Sequence, residues 1–104
     1  MDTRNPLIAL IKSHESRLRL LGVQHLALFG SRARGDARAG SDLDVLIDLH
    51  QGDAGSDRIT AGRAALEVSG TLSAITGLDV SLVERNQMPP NLAQRILDDI
   101  VEVF

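Results

Sequence analysis

The chain has no cysteine, tryptophan or tyrosine, and its only aromatic residues are two phenylalanines. Without cysteine there is no disulfide framework, no thiol nucleophile and no thiolate zinc site. With so little aromatic surface, stacking of unpaired bases on side chains is not available as a main recognition device. Lysine is scarce as well, since ten of the eleven basic residues are arginine. A formal net charge of −3 supplies no basic footprint, so direct nucleic-acid binding is not expected. No apolar run approaches the ~18 residues of a membrane span, and MDTRNPLIAL lacks a basic segment leading into a long apolar one. The expectation is a cytoplasmic chain with no membrane contact. At 104 residues it is read as one domain, 1–104, with a single core and no room for a second lobe.

The punctuation of the sequence predicts its elements. Asn5 and Pro6 read as a cap and first-turn proline of a helix over 6–21, carried by Leu7, Leu10, Ile11, His14, Leu18 and Leu21 and ended by Gly22. VQHLALF, 23–29, reads as a buried strand closed by Gly30. SDLDVLIDL alternates, with Leu43, Val45, Ile47 and Leu49 on one face and Asp42, Asp44, Leu46 and Asp48 on the other. HQGDAGSD reads as a loop, after which Ser56 or Asp57 caps a helix to about residue 76, stopped by Gly77. LDVSLVE, 78–84, is a third strand. Pro89 and Pro90 open a final helix whose Leu92, Ile96, Leu97, Ile100, Val101 and Phe104 form one stripe that packs on the sheet. The expected fold class is α/β or α+β: a small mixed β-sheet of three or more strands packed with about four helices.

The chemistry gathers in FGSRARGDARAGSDLDVLIDL, 29–49. Asp42 and Asp44 stand two apart on a strand, so their carboxylates share a side, roughly 6.5 Å apart along it. Two such carboxylates repel, and a shared divalent cation relieves them; hard oxygen donors select Mg²⁺ or Mn²⁺. Asp79, flanked by Leu78 and Val80 that point to the buried face, is the candidate third ligand. Asp48 shares their parity but lies about 13 Å from Asp44 at strand rise, too far for the same ion. Upstream, Gly30 lets a ligand approach the backbone, Ser31 offers a hydroxyl, and RAR can form a short helical turn presenting Arg32 and Arg34 to an oxyanion. One end of the loop suits phosphates and the other suits metals that bridge phosphates, which together describe a nucleoside triphosphate with Mg²⁺. Each feature has a plainer reading. An Asp-x-Asp pair alone is usually a solvated strand face, and Arg32, Arg34 and Arg38 could be surface charges paired with Asp36 and its neighbours. The Gly-Ser turn at its fixed distance upstream favours the functional reading. His14, His25 and His50 show no metal-ligand spacing, and there is neither GxGxxG nor Gly-Lys-Ser/Thr.

Gly30-Ser31, ten residues, Asp42-x-Asp44 and a later Asp79 resemble the nucleotidyltransferase superfamily related to DNA polymerase beta. The chain is similar over nearly its whole length to the minimal nucleotidyltransferase (MNT) domains encoded beside HEPN-domain partners. The resemblance implies a nucleotidyltransferase fold, ATP as substrate and two Mg²⁺ ions held by Asp42, Asp44 and Asp79 as catalytic and metal residues. It places the triphosphate on Gly30, Ser31, Arg32 and Arg34. It also implies a HEPN-family RNase toxin as partner, neutralised by transfer of AMP to it, with a toxin tyrosine as the fitting acceptor. Automodification on tyrosine is excluded, because this chain has none. The competing reading is a non-catalytic antitoxin that neutralises the toxin by stoichiometric binding. The intact acids and Ser31 favour the enzyme.

Overall fold

The computed structural model describes residues 4–49 and 58–104. The expected loop HQGDAGSD and the cap at Ser56 or Asp57 therefore lie outside the described residues. In chain order the elements are α1 (Arg4–Lys12), α2 (Glu15–Leu20), β1 (Val23–Phe29), α3 (Gly30–Arg34), β2 (Leu43–Leu49), α4 (Arg58–Thr76), β3 (Val80–Glu84), a 3₁₀ turn (Arg85–Gln87), α5 (Pro90–Ile96) and β4 (Val101–Glu102). The strands form one mixed sheet in the order β3-β2-β1-β4. β1 is antiparallel to β2 and to β4, whereas β2 and β3 run parallel. A parallel pair needs a long crossover, and α4 supplies it.

The sheet carries a core on each face, because β1 and β2 are apolar on both sides at their centres. On the main face, Leu26, Leu28, Leu43, Val45 and Ile47 pack with Ile11, Leu18, Val68 and Leu72 from the helices. On the other face a smaller cluster joins Ala27, Phe29 and Leu46 to Ile96 of α5, with Val83, Met88, Leu92 and Ile100 around it. α5 covers the middle of the face that also bears Asp44 and Asp48. The carboxylates are left at its two ends.

Two expectations are corrected. The first helix is not continuous over 6–21 but breaks at Ser13 and His14. The Ser13 hydroxyl donates to the Leu10 carbonyl, and the His14 N–H takes the Ile11 carbonyl three residues back, a tightening that ends α1. Ile11 and Leu18 on either side remain fully buried, which is why the apolar spacing runs through the break. The final helix stops at Ile96, and its expected continuation is instead an edge strand. There the Val103 N–H donates to Leu26 O (2.8 Å) and the Leu26 N–H to Phe104 O (3.2 Å), so the open edge of β1 is paired. IVEVF alternates as well as it fits a helical stripe. Backbone groups seeking partners decide between the two. Arg19 stacks 4.8 Å from the Phe104 ring centroid, fastening this segment to α2.

Candidate active site

Gly30 follows β1 directly and opens α3 with φ of 73°, a left-handed value that favours glycine. A β-carbon built there would overlap Asp44 Oδ2 and lie 3.1 Å from Asp44 Cγ. The glycine thus serves both the turn and the close approach of the carboxylate. Register explains the approach: Phe29 is the Cα partner of Asp44 across β1 and β2, so the residue after Phe29 turns above Asp44.

Asp42 is exposed just ahead of β2, while Asp44 is half-buried within it. In the parallel pairing Leu43 meets Val80 and Asp44 meets Ser81. Asp79 therefore precedes β3 as Asp42 precedes β2. The Leu43 N–H donates to Asp79 O at 2.8 Å, and Leu78 and Val80 pack against the main core, as their flanking positions predict. By strand alternation Asp42, Asp44 and Asp79 belong to one end of one face. Among the described residues, however, no three His, Cys, Asp or Glu side chains gather into a metal-holding group.

The electrostatics nevertheless suit a cation. Burial pushes the Asp44 carboxyl above its ordinary value, the neighbouring Asp42 charge pushes it further, and Arg34 opposes both. Among the described residues neither the Asp42 nor the Asp44 carboxylate has a hydrogen-bond or ion-pair partner. Two uncompensated hard-oxygen donors are what a Mg²⁺ ion with phosphate and water ligands requires of a protein.

The arginines separate. Arg34 projects to the acids' side and is held by two carboxylates: its Nε donates to Asp36 Oδ2 (3.1 Å) and its Nη1 to Asp99 Oδ2 (2.8 Å). The Asp36 bond first, then Asp99, raises its already high pKa. Arg32 turns the other way. Its Nη2 donates to Ser41 O at 2.9 Å, and it shares a cleft with Pro6, Leu7, Leu10 and Leu78, on the main-core side. Arg32 thus ties α3 to the residue preceding Asp42. The Ser31 carbonyl accepts the N–H groups of Gly35 and Asp36, both at 3.0 Å, closing α3, and its side chain is half-buried beside Gly30. Arg38 is exposed; its N–H donates to Ser41 Oγ and its carbonyl accepts the Ser41 N–H, both at 3.0 Å. Asp48 is engaged elsewhere, accepting from Arg85 Nε at 3.1 Å while Arg85 Nη2 reaches Glu102 at 3.3 Å. His14 precedes α2 and His25 lies exposed on β1; His50 lies outside the described residues. No local sequence pattern marks Asp99, because its partner Arg34 is far away in the chain.

Comparison with known proteins shows the family and the fold. The family described as Nucleotidyltransferase domain matches residues 10–103. The protein adenylyltransferase MntA of Thermococcus cleftensis is 30% identical over 104 residues, covering 99% of this chain and 98% of that protein. Among solved structures, a toxin-antitoxin crystal structure with AMP-PNP aligns with TM-score 0.66 at 23% identity, covering 89% of this chain and 72% of that one. The complex of tri-AMPylated Shewanella oneidensis HEPN toxin with MNT antitoxin aligns with TM-score 0.61 at 21% identity, covering 93% and 71%. These two likenesses establish the fold. The family match runs from within α1 to beyond β4 and takes in Gly30, Ser31 and all three acids, so the chain belongs to the nucleotidyltransferase domain family.

Proposed function

We propose that this protein transfers AMP from ATP to a hydroxyl group of a partner protein, a HEPN-type toxin that is thereby neutralised. The observation that carries the reading is the unpartnered Asp42 and Asp44 pair, with Asp44 lodged against Gly30, in a chain related over almost its full length to a protein adenylyltransferase. Two carboxylates kept close at a cost to the free protein are explained by a ligand that neutralises them.

Asp42 and Asp44 would hold Mg²⁺, with Asp79 as the third acid at the same strand ends. The bound metal would stabilise charge on the α-phosphate and on the departing pyrophosphate. The chain's own part is to bind, orient and move a proton. Ser31 donates its hydroxyl to the triphosphate, Gly30 leaves its backbone approachable, and Arg34 adds positive charge on the acids' side. Arg32 acts on the phosphates through Ser31 and the loop it fastens, since its guanidinium is bound to Ser41 O. The acceptor oxygen forms a bond to the α-phosphorus as the bond to the bridging oxygen breaks. Pyrophosphate leaves, and the acceptor proton passes to the Asp79 carboxylate.

The test is to incubate substoichiometric protein with its partner, ATP and Mg²⁺ and to weigh the partner by mass spectrometry. Gain of one or more AMP groups, lost in Asp42→Asn/Asp44→Asn, supports the reading. An unmodified partner that the double variant neutralises fully at equimolar ratio overturns it in favour of stoichiometric binding.

A further inference from the structure

Asp36 and Asp99 hold the same guanidinium but differ in what they can do for it. Asp36 lies two residues from Arg34, and its side chain is 60% exposed; it moves with the arginine. Asp99 comes from the turn between α5 and β4, and its side chain is only 21% exposed. Its N–H donates to Ile96 O at 2.9 Å, and Ile96 is anchored in the smaller core. Asp99 is thus a fixed point, joined to the site from the opposite end of the chain.

An arginine at the end of a five-residue helix, 46% exposed, would otherwise sample many rotamers, and ordering it on a ligand costs entropy. With Nε on Asp36 and Nη1 on Asp99, Nη2 has no partner among the described residues and remains for a further acceptor, and the Arg34 charge is already felt at Asp44. We infer that Asp99 is a positioning residue, which fixes the Arg34 guanidinium beside the Asp42 and Asp44 end of the sheet so that its free Nη2 meets the triphosphate of ATP. The inference rests on the adenylyl-transfer reading for its substrate. Two carboxylates also cancel the charge of Arg34, and if cancellation dominated, Asp99 would compete with phosphate rather than help it.

The experiment measures KM for ATP and kcat in the wild type, Asp99→Ala, Asp99→Asn, Arg34→Ala and Arg34→Ala/Asp99→Ala, with ATP affinity by calorimetry and Tm alongside. Positioning predicts that Asp99→Ala raises KM about five- to tenfold, the scale of one weakened charge-assisted hydrogen bond, with kcat and Tm near wild type. Asp99→Asn, which keeps an acceptor, should recover part of the loss. In the Arg34→Ala background, Asp99→Ala should change nothing further. An unchanged or lowered KM, or an equal effect without Arg34, overturns the inference. Should Asp99→Ala fail to fold, Asp99→Asn carries the same comparison. If the wild type binds ATP but transfers nothing, the adenylyl-transfer reading falls while calorimetry still decides the role of Asp99. If it binds no ATP, both fall.

Discussion

The Asp44 carboxylate occupies the space that a side chain on Gly30 would need. Neither residue can be understood alone: the glycine is required at its turn, and the acid is brought there by strand pairing. Gly30→Ala should cost about 1–3 kcal/mol from its left-handed backbone, plus whatever displacement of Asp44 follows. The two contributions separate in a double-mutant cycle by urea denaturation, because Asp44→Gly removes the obstructing carboxylate and leaves the backbone strain. Strict additivity of the two substitutions would show that the contact is immaterial.

A second expectation concerns pH. The folded protein raises the Asp44 pKa through burial and Asp42, so in the window from the ordinary carboxylate value of about 4 up to the folded value it binds more protons than the unfolded chain. Stability must then fall as pH rises through that window, with the destabilisation absent below it and complete above it. Asp44→Asn lacks this contribution. In metal-free buffer it should melt higher than wild type at neutral pH, with the gap closing below about pH 4, while the proposed function requires it to be inactive. Mg²⁺ should raise the wild-type Tm and leave the variant unmoved; equal responses would remove Asp44 from the metal site.

Arg85 bridges Asp48, four residues along β2 from Asp44, to Glu102, and all three side chains are partly exposed. Arg85→Ala should therefore cost only about 0.5–1 kcal/mol and leave transfer intact. Leu72→Ala, within the main core, should cost about 2–5 kcal/mol. A loss of activity in Arg85→Ala at unchanged Tm would give Asp48 or Arg85 a role in catalysis.

The sequence disclosed the elements whose side chains report a single environment. β1 and β2 are short and apolar between glycines and acids, and α4 ends at Gly77, where its N–H meets Ser73 O at 2.8 Å. It misled where one pattern serves two structures: Ile11 and Leu18 keep helical spacing across a break, and Val101 suits either a helix stripe with Ile100 and Phe104 or an edge strand with Val103. Much the same division holds at the site. Gly30, Ser31, Asp42 and Asp44 could be read together as a candidate site because their spacing is local. The inward turn of Arg32 onto Ser41 and the capture of Arg34 by Asp99 were not, since each depends on where a distant segment packs.

The parallel register of β2 and β3 bears on which changes in chain length the protein can tolerate. Asp79 shares a face with Asp44 only because Leu43 lies beside Val80, and Gly77 and Leu78 alone separate α4 from Asp79. Deleting either of these, or inserting one residue beside them, forces a choice: β3 slips by one and Asp79 turns into the main core, or the core is kept and the link is strained. The sequence between α3 and β2 has a similar constraint at its far end, where Ser41 is tied to Arg32. Evolutionary or engineered insertions should therefore avoid the two short approaches to the acids, and a library of single-residue insertions selected for partner neutralisation should come back depleted at 77–79 and 41–42.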